Sequence, residues 1–374
     1  MSSWTPDFDR SGMLFMFVRR DDDRYMIYKF DTPLLVENSE SRSFDILPLV
    51  VFEDGVLPHC ECSFVFIYPY FYIVGAKKED VFTIDLNVLI ALKPSETERG
   101  AEFVTRMQPM IADKNPSLAF SFRHKLYVIS VYTCPVSLKT ENRHEFEVYS
   151  SSTNTWRDLG NTPLSRDLLP VYVDSHLVIG TMVYFTTSLD VVMSFDLNGE
   201  TWTTVFDPYG VLAPTFRYVP PLPTFKSQTL IIGSLIFGLS KRRRNGYYDI
   251  CASNTFNPGS DFFLRPVLVP DQQVLKVVVD APMDLPSWSQ FIFALGENVL
   301  CVVSYGGDMM QDEHGLFCYA ELSFFSCLPV YPETGYSGDM CCSNAKFCGR
   351  TRFFIRTENQ LTHGVPCSCI FVDQ

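Results

Sequence analysis

The sequence predicts an all-β protein in which repeated four-stranded units close into a ring. Three observations predict it. Aromatic and β-branched residues are abundant, turn residues are spread along the whole chain, and one strand–turn–Trp segment occurs twice in register. The chain has 374 residues, 47% of them hydrophobic, with 32 Phe, 18 Tyr, 20 Gly and 24 Pro. Phe, Tyr, Val and Ile suit a half-buried pleated surface, and recurring Gly and Pro imply frequent turns. A chain of this length ordinarily divides into two or three domains. A repeat architecture need not, because each unit buries its apolar face against its neighbours. One domain spanning residues 1–374 is therefore expected.

The clearest repeat sets Val148–Trp156 (VYSSSTNTW) against Ser194–Trp202 (SFDLNGETW) without a gap. In each, an apolar strand ends, a polar turn follows and a Trp opens the next strand, which is a hairpin signature. Leu118–Phe122 and Leu126–Ile129 supply two strands ahead of the first copy, and His176–Gly180 and Met182–Phe185 two ahead of the second. Looser copies pair Tyr28–Asp31 with Ser43–Leu47, and Phe71–Gly75 with Val81–Asp85. Leu230–Gly233 and Leu235–Phe237 lead to Tyr247–Ile250. Phe291–Leu295 and Val299–Val303 lead to Leu316–Glu321, and Arg352–Ile355 leads to Cys369–Asp373.

An apolar-to-polar step marks the third strand of these units: Phe30–Asp31, Ile84–Asp85, Tyr149–Ser150, Phe195–Asp196, Ala320–Glu321 and Val372–Asp373. A weaker step lies at Ile250. Together they predict seven blades, or six if the Ile250 or terminal unit merges with a neighbour. Units of roughly 40–50 residues with four strands each are the sequence form of a β-propeller. The last unit stops after its third strand, whereas Ser3–Phe8 is Trp-led and has no unit of its own. The N-terminal strand around Trp4 is accordingly expected to complete the last blade and close the ring, which removes two open edges.

Glu147–Leu159 and Ser194–Val205 resemble the strand-three, turn and Trp-strand portion of the kelch family, above all the propellers of plant F-box/kelch proteins. The resemblance is specific over residues 117–207. It implies a kelch-type propeller acting as a recognition platform. The family's glycine doublet occurs only at Gly306–Gly307, with Ile129–Ser130 or Gly75–Ala76 in its place in other units. Strand pattern begins by Met13, with no helical F-box ahead of it.

The formal net charge is −13. An acidic chain lacks the basic stripe that tracks phosphates, so neither nucleic acid nor an anionic membrane surface is an expected partner. Met13–Val18 is too short for the apolar core of a secretory signal. The longest apolar run, Phe64–Ala76, is interrupted by Pro69 and is shorter than the roughly 20 residues of a membrane span. The cytosol, with the nucleus as a second compartment, is the expected location. The 12 cysteines are then expected to be reduced, and Cys251, Cys301, Cys318, Cys327 and Cys369 fall inside strand patterns as small hydrophobes.

Chemical motifs are sparse. Cys60 with Cys62, Cys341 and Cys342 with Cys348, and Cys367 with Cys369 do not give the Cys-x-x-Cys spacing that clamps zinc. No Glu is followed four residues later by Asp, so the iron pattern of kelch-like proteins of plant glucosinolate breakdown lacks its ligands. Gly335–Gly338 is one residue short of a nucleophile elbow and reads as a turn. His59, His124, His144, His176, His314 and His363 show no zinc-protease spacing, and His124 falls in a tight turn. Lys241–Arg244 precedes Asn245–Gly246 and reads as a hairpin tip, with a nuclear import signal as the alternative. Asp21–Asp23 reads as a turn. No catalytic residue, metal or cofactor is assigned. The expected function is a monomeric binding module for a protein partner or small ligand at the loop face of the ring. The alternative is an enzyme acting on a small plant metabolite in the central pocket.

Overall fold

The structure is a computed structural model. It describes residues 12–20, 24–31, 43–59, 62–94, 98–99, 101–114, 117–133, 144–163, 171–188, 191–206, 225–232, 235–244, 247–254, 287–294, 299–312, 315–328, 344–355 and 364–373. β1 (Gly12–Arg20), β2 (Tyr25–Asp31), β3 (Ser43–Ile46) and β4 (Val50–Phe52) come first. β5 (Ser63–Ile67), β6 (Tyr70–Val74) and β7 (Val81–Asp85) follow, then the short helix α1 (Leu86–Ala91), β8 (Glu98–Arg99) and β9 (Val104–Arg106). The middle of the chain holds β10 (Ser117–Phe122), β11 (Lys125–Ser130), β12 (Tyr132–Thr133), β13 (Phe146–Ser150) and β14 (Thr155–Gly160). After these come β15 (Val171–Ile179), β16 (Met182–Thr187), β17 (Val192–Asp196) and β18 (Thr201–Phe206). The remaining strands are β19 (Phe225–Ile232), β20 (Leu235–Arg244), β21 (Tyr247–Asn254), β22 (Ser287–Ala294), β23 (Val299–Asp312), β24 (Gly315–Leu328), β25 (Asn344–Ile355) and β26 (Gly364–Asp373).

These strands form six sheets. Sheet 1 has the order β26–β1–β2–β4–β8 and sheet 2 the order β5–β6–β7–β9. Sheets 3 and 4 are β10–β11–β13–β14 and β12–β15–β16–β17–β18. Sheets 5 and 6 are β19–β20–β21 and β22–β23–β24–β25–β3. The main strand pairs are antiparallel hairpins between successive strands, with β8 and β3 added in parallel at outer edges. The leading strands touch in a cycle: β26 lies beside β5, β5 beside β10, β15 beside β19, β19 beside β22, and β22 beside β26. Phe120 of β10 and His176 of β15 complete it, their rings 5.2 Å apart. A cycle of antiparallel sheets meeting through their first strands is a β-propeller.

Apolar alternation explains why the sheets stack. On β5, Phe64 turns to the core shared with sheet 1, beside Phe15, Phe17 and Phe71, while Val65 and Ile67 turn to the core shared with sheet 3. Sheets 3 and 4 enclose Phe120, Phe146, Phe185 and Phe195. Each strand thus feeds two cores, the period-two pattern at work.

Two expectations are corrected. Six of the seven apolar-to-polar steps do fall on third strands, at β2, β7, β13, β17, β21 and β24, with sheet 4 counted from β15, beyond the two-residue edge strand β12. The seventh, Val372–Asp373, falls on β26, which is the first strand of sheet 1. Its proposed companion Arg352–Ile355 belongs to β25, the fourth strand of sheet 6. The supposed seventh unit is therefore divided between two sheets, and the described residues form six sheets. The step thus occurs on a first strand as well as on third strands, so it cannot separate the two. Closure does join the two ends of the chain, but β26 does it as a first strand pairing with β1, from Gly12 opposite Asp373 to Arg20 opposite Gly364. Trp4, the residue expected to close the ring, lies outside the described residues.

The aligned tryptophans occupy equivalent places. Trp156 faces Tyr149 across β13–β14, and Trp202 faces Phe195 across β17–β18. The residue two before each Trp, Asn154 or Glu200, has a left-handed backbone with φ of 53° or 54°. The two turns are thus the same turn. Gly75 ends β6 where a Cβ would lie 2.7 Å from Cβ of Asp80 and 3.0 Å from Cγ of Pro58, so the close approach needs glycine.

Candidate functional site

Antiparallel strands place their connections alternately at two ends of the ring. One end carries the β5–β6, β10–β11, β13–β14, β15–β16 and β17–β18 turns together with α1. The other carries the β6–β7 and β16–β17 loops and the segments that pass from one sheet to the next.

The sheet-to-sheet end is built around two glutamates near the start of β13. Glu147 accepts hydrogen bonds from the backbone N–H of Ile111, at 2.7 Å, and of Ala112, at 3.1 Å. It also pairs with Lys114, both side chains being fully buried. The Lys114 ammonium donates further to the carbonyls of His144, at 2.6 Å, and Ala112, at 3.3 Å. Burial pushes the Lys114 pKa down, and Glu147 opposes that shift. Glu145 accepts from the backbone N–H and the hydroxyl of Thr162 at 3.0 and 2.9 Å. Glu147 thus holds the segment arriving from sheet 2, and Glu145 the segment leaving toward sheet 4. The arriving segment is tied to sheet 2 as well, because Lys114 N–H donates to the Ala76 carbonyl and Met110 N–H to that of Lys78. At the solvent rim of this cluster, Nδ1 of His144 lies 2.8 Å from a carboxylate oxygen of Asp158. Chemically, these buried charges neutralise one another and fix three segments of backbone.

The hairpin-turn end differs in kind. Tyr68 is 69% exposed at the tip of the β5–β6 turn. Tyr70, Val88 and Ile90 are also exposed there, the last two on α1. The turn is fixed to the helix, since Leu86 N–H donates to the Pro69 carbonyl at 2.9 Å. Asp85 caps the helix through the N–H of Asn87 at 2.8 Å. Arg123 and His124 form the β10–β11 turn with φ of 48° and 60°, and His124 is exposed as the sequence implied. Between sheets 3 and 4, Arg157 grips both carboxylate oxygens of Glu200, one of them at 2.7 Å, and Arg123 donates to Asn198 at 3.2 Å.

His176 sits on β15 against Phe120, and burial of its ring pushes its pKa down to about 4. Among the described residues, no three His, Cys, Asp or Glu side chains are placed to hold a metal ion. Gly335–Gly338, Asn245–Gly246, Asp21–Asp23, His314 and His363 lie outside those residues. The strands flanking Asn245–Gly246 do pair, Arg244 opposite Tyr247, as a hairpin requires. Sequence reasoning missed Lys114, Glu145 and Glu147. Their signal was two carboxylates flanking Phe146 in an apolar strand, which need donors once buried. It also passed over Tyr68–Tyr70, noting only that Pro69 breaks an apolar run.

No family model and no curated protein matches the chain. Solved structures match it at low similarity. The N-terminal domain of Nup159 is 9% identical, covering 93% of this chain and 68% of its own, with a TM-score of 0.33. YjhT is 11% identical, covering 82% and 95%, with a TM-score of 0.39. AztD from Citrobacter koseri is 9% identical, covering 94% and 100%, with a TM-score of 0.35. At these values the likenesses say nothing about activity or partners.

Proposed function

We propose that the chain is a kelch-type propeller of six blades that works as a recognition platform and not as an enzyme. The equivalent tryptophans and their shared left-handed turn support the kelch reading. One observation carries the functional one: an exposed Tyr68–Pro69–Tyr70 tip is fixed in place by hydrogen bonding to α1. Tyrosine offers a large contact area at low entropic cost, and a preformed turn loses little freedom on binding. The buried charges at the opposite end support the same reading, since they hold sheet-to-sheet segments and so stiffen the frame that presents the tip. The platform is proposed to be monomeric, to reside in the cytosol or nucleus, and to bind a protein partner or small ligand without a cofactor.

The test compares wild type with a Tyr68→Ala/Tyr70→Ala variant of unchanged circular dichroism, in capture of partners followed by direct titration of each. At least a tenfold loss of affinity for a titrated partner is expected. Equal affinity for every partner would refute the assignment of this surface. Stoichiometric iron, copper or zinc in the purified protein would refute the cofactor-free reading, and substrate turnover the non-enzymatic one.

A further inference from the structure

The Tyr68 tip has a charged neighbour. β5 and β10 lie side by side with their starts level: the Ser63 hydroxyl donates to the Ser117 carbonyl at 2.8 Å, and the Ser117 hydroxyl to the Val74 carbonyl at 2.9 Å. From there β5 runs five residues and β10 six before each turns back. Ile67, which ends β5, shares a core with Leu126, which follows the β10–β11 turn. At about 3.3 Å per residue the two turns stand at nearly the same height, separated by about 10 Å, the spacing of packed sheets. One turn carries Tyr68, 69% exposed, and Tyr70, 40% exposed. The other carries Arg123, His124 and Lys125, all exposed. The Arg123 guanidinium is held in place, 5.0 Å from the centre of the Phe122 ring and donating to the Asn198 side chain at 3.2 Å. The acids on adjoining turns already have donors: Asp85 those of Asn87, Asp196 the N–H of Asn198, and Glu200 the fork of Arg157. Among the described residues, Arg123 and Lys125 have no carboxylate within ion-pair reach, although the chain carries a net charge of −13.

We propose that the two turns together bind a short acidic peptide segment of a protein partner, with a carboxylate on Arg123 and Lys125 and an apolar side chain on the Tyr68–Tyr70 tip. The site depends on the recognition surface proposed above and gives that surface its ligand class. Arginine presents a planar fork that a carboxylate fills with two parallel hydrogen bonds. Holding the guanidinium against Phe122 beforehand reduces the freedom lost on binding. An extended peptide advances about 3.3 Å per residue, so a gap of about 10 Å sets the apolar residue and the acid about three positions apart. A short segment meets only the local cations, because the rest of the negative surface is screened beyond roughly 8 Å at physiological salt, whereas a long polyanion would lie across that surface.

The full-length protein is used to pan a phage library of random dodecapeptides, and the enriched sequences are synthesised and titrated by fluorescence anisotropy. Enriched peptides are expected to carry Asp or Glu about three positions from an aromatic or large aliphatic residue. Replacing that acid by its amide should weaken binding about tenfold, and so should Arg123→Gln/Lys125→Gln in the protein. Added salt should weaken the acidic peptide more than its amide. Enriched peptides without acids, or acidic peptides that bind the glutamine variant equally well, would overturn the proposal, as would a library that yields no peptide. Failure of the tip itself looks different. Peptides insensitive to Arg123→Gln/Lys125→Gln but lost with Tyr68→Ala/Tyr70→Ala leave the tip standing without its acidic ligand, whereas peptides insensitive to both variants remove both. The amide substitution lies in the peptide, so it decides the matter even if a protein variant does not fold.

Discussion

At the scale of single residues, Trp156 and Trp202 show one position meeting two surroundings. The Trp202 ring lies within 5.6 Å of Phe146, Phe185 and Phe195, between two sheets, and its buried indole N–H finds no acceptor among the described residues. Trp156 packs on Tyr149 at 5.2 Å and donates to the Gln108 carbonyl at 2.9 Å. Both rings remain partly exposed, so alanine at either site should cost about 2–4 kcal/mol, measured by denaturant unfolding. The two should separate on substitution by phenylalanine. Trp156→Phe forfeits a hydrogen bond worth about 1 kcal/mol, whereas Trp202→Phe removes an unsatisfied donor and should cost less. The sequence alignment placed both residues but could not reveal their acceptors, which come from segments outside the repeat. His176 adds a pH dependence. Its folded pKa of about 4 lies below the unfolded value of about 6.5, so the unfolded chain binds the proton first. Stability from this group is full above about pH 6.5 and is lost as the pH falls toward 4. His176→Gln should flatten the melting temperature across that window.

At the scale of elements, the notable device is β13 holding the segments on both sides of its own sheet. Lys114→Met should cost about 3–5 kcal/mol, because it strands the Glu147 carboxylate in the interior. Adding Glu147→Leu to that variant should recover much of the loss, since the uncompensated charge goes with it. Thermal unfolding of both single variants and the double variant gives the coupling. A double variant no more stable than Lys114→Met would show that the backbone donors of Ile111 and Ala112, not the ion pair, dominate. The third strands β2, β7, β13 and β17 were legible because their signal is local: an apolar run, then an acid or serine at which the chain leaves the strand. Asp85 and Asp196 do this directly, accepting the N–H of Asn87 and Asn198 at 2.8 and 2.9 Å. The glutamate clamp was not legible. Its donors are the Lys114 ammonium 33 residues upstream, two backbone N–H groups 35 and 36 residues upstream and a threonine 17 residues downstream, and no short window contains them.

At the scale of the whole molecule, the ends of the chain are exchanged between the first and last sheets. β26 completes sheet 1 at its inner edge, while β3, the third strand in chain order, extends sheet 6 in parallel at its outer edge. Removing residues 364–374 should lower the melting temperature by several degrees and cause aggregation, because β1 would keep β2 but lose its partner on the other edge. A monomeric truncation with an unchanged melt would show that the β26–β1 pairing contributes nothing. The same exchange explains why closure was predicted but its agent was not: counting units identifies an incomplete sheet, yet not which end of the chain fills it. It also sets a schedule for synthesis. β1 leaves the ribosome among the first strands and is buried almost throughout in the finished protein. Its pairing edge must stay open until Gly364–Asp373 has been translated and released. The nascent chain therefore exposes an apolar strand while residues 21–363 are being made, and its hazard there is set by how fast they are made, whatever the stability of the ring it finally forms.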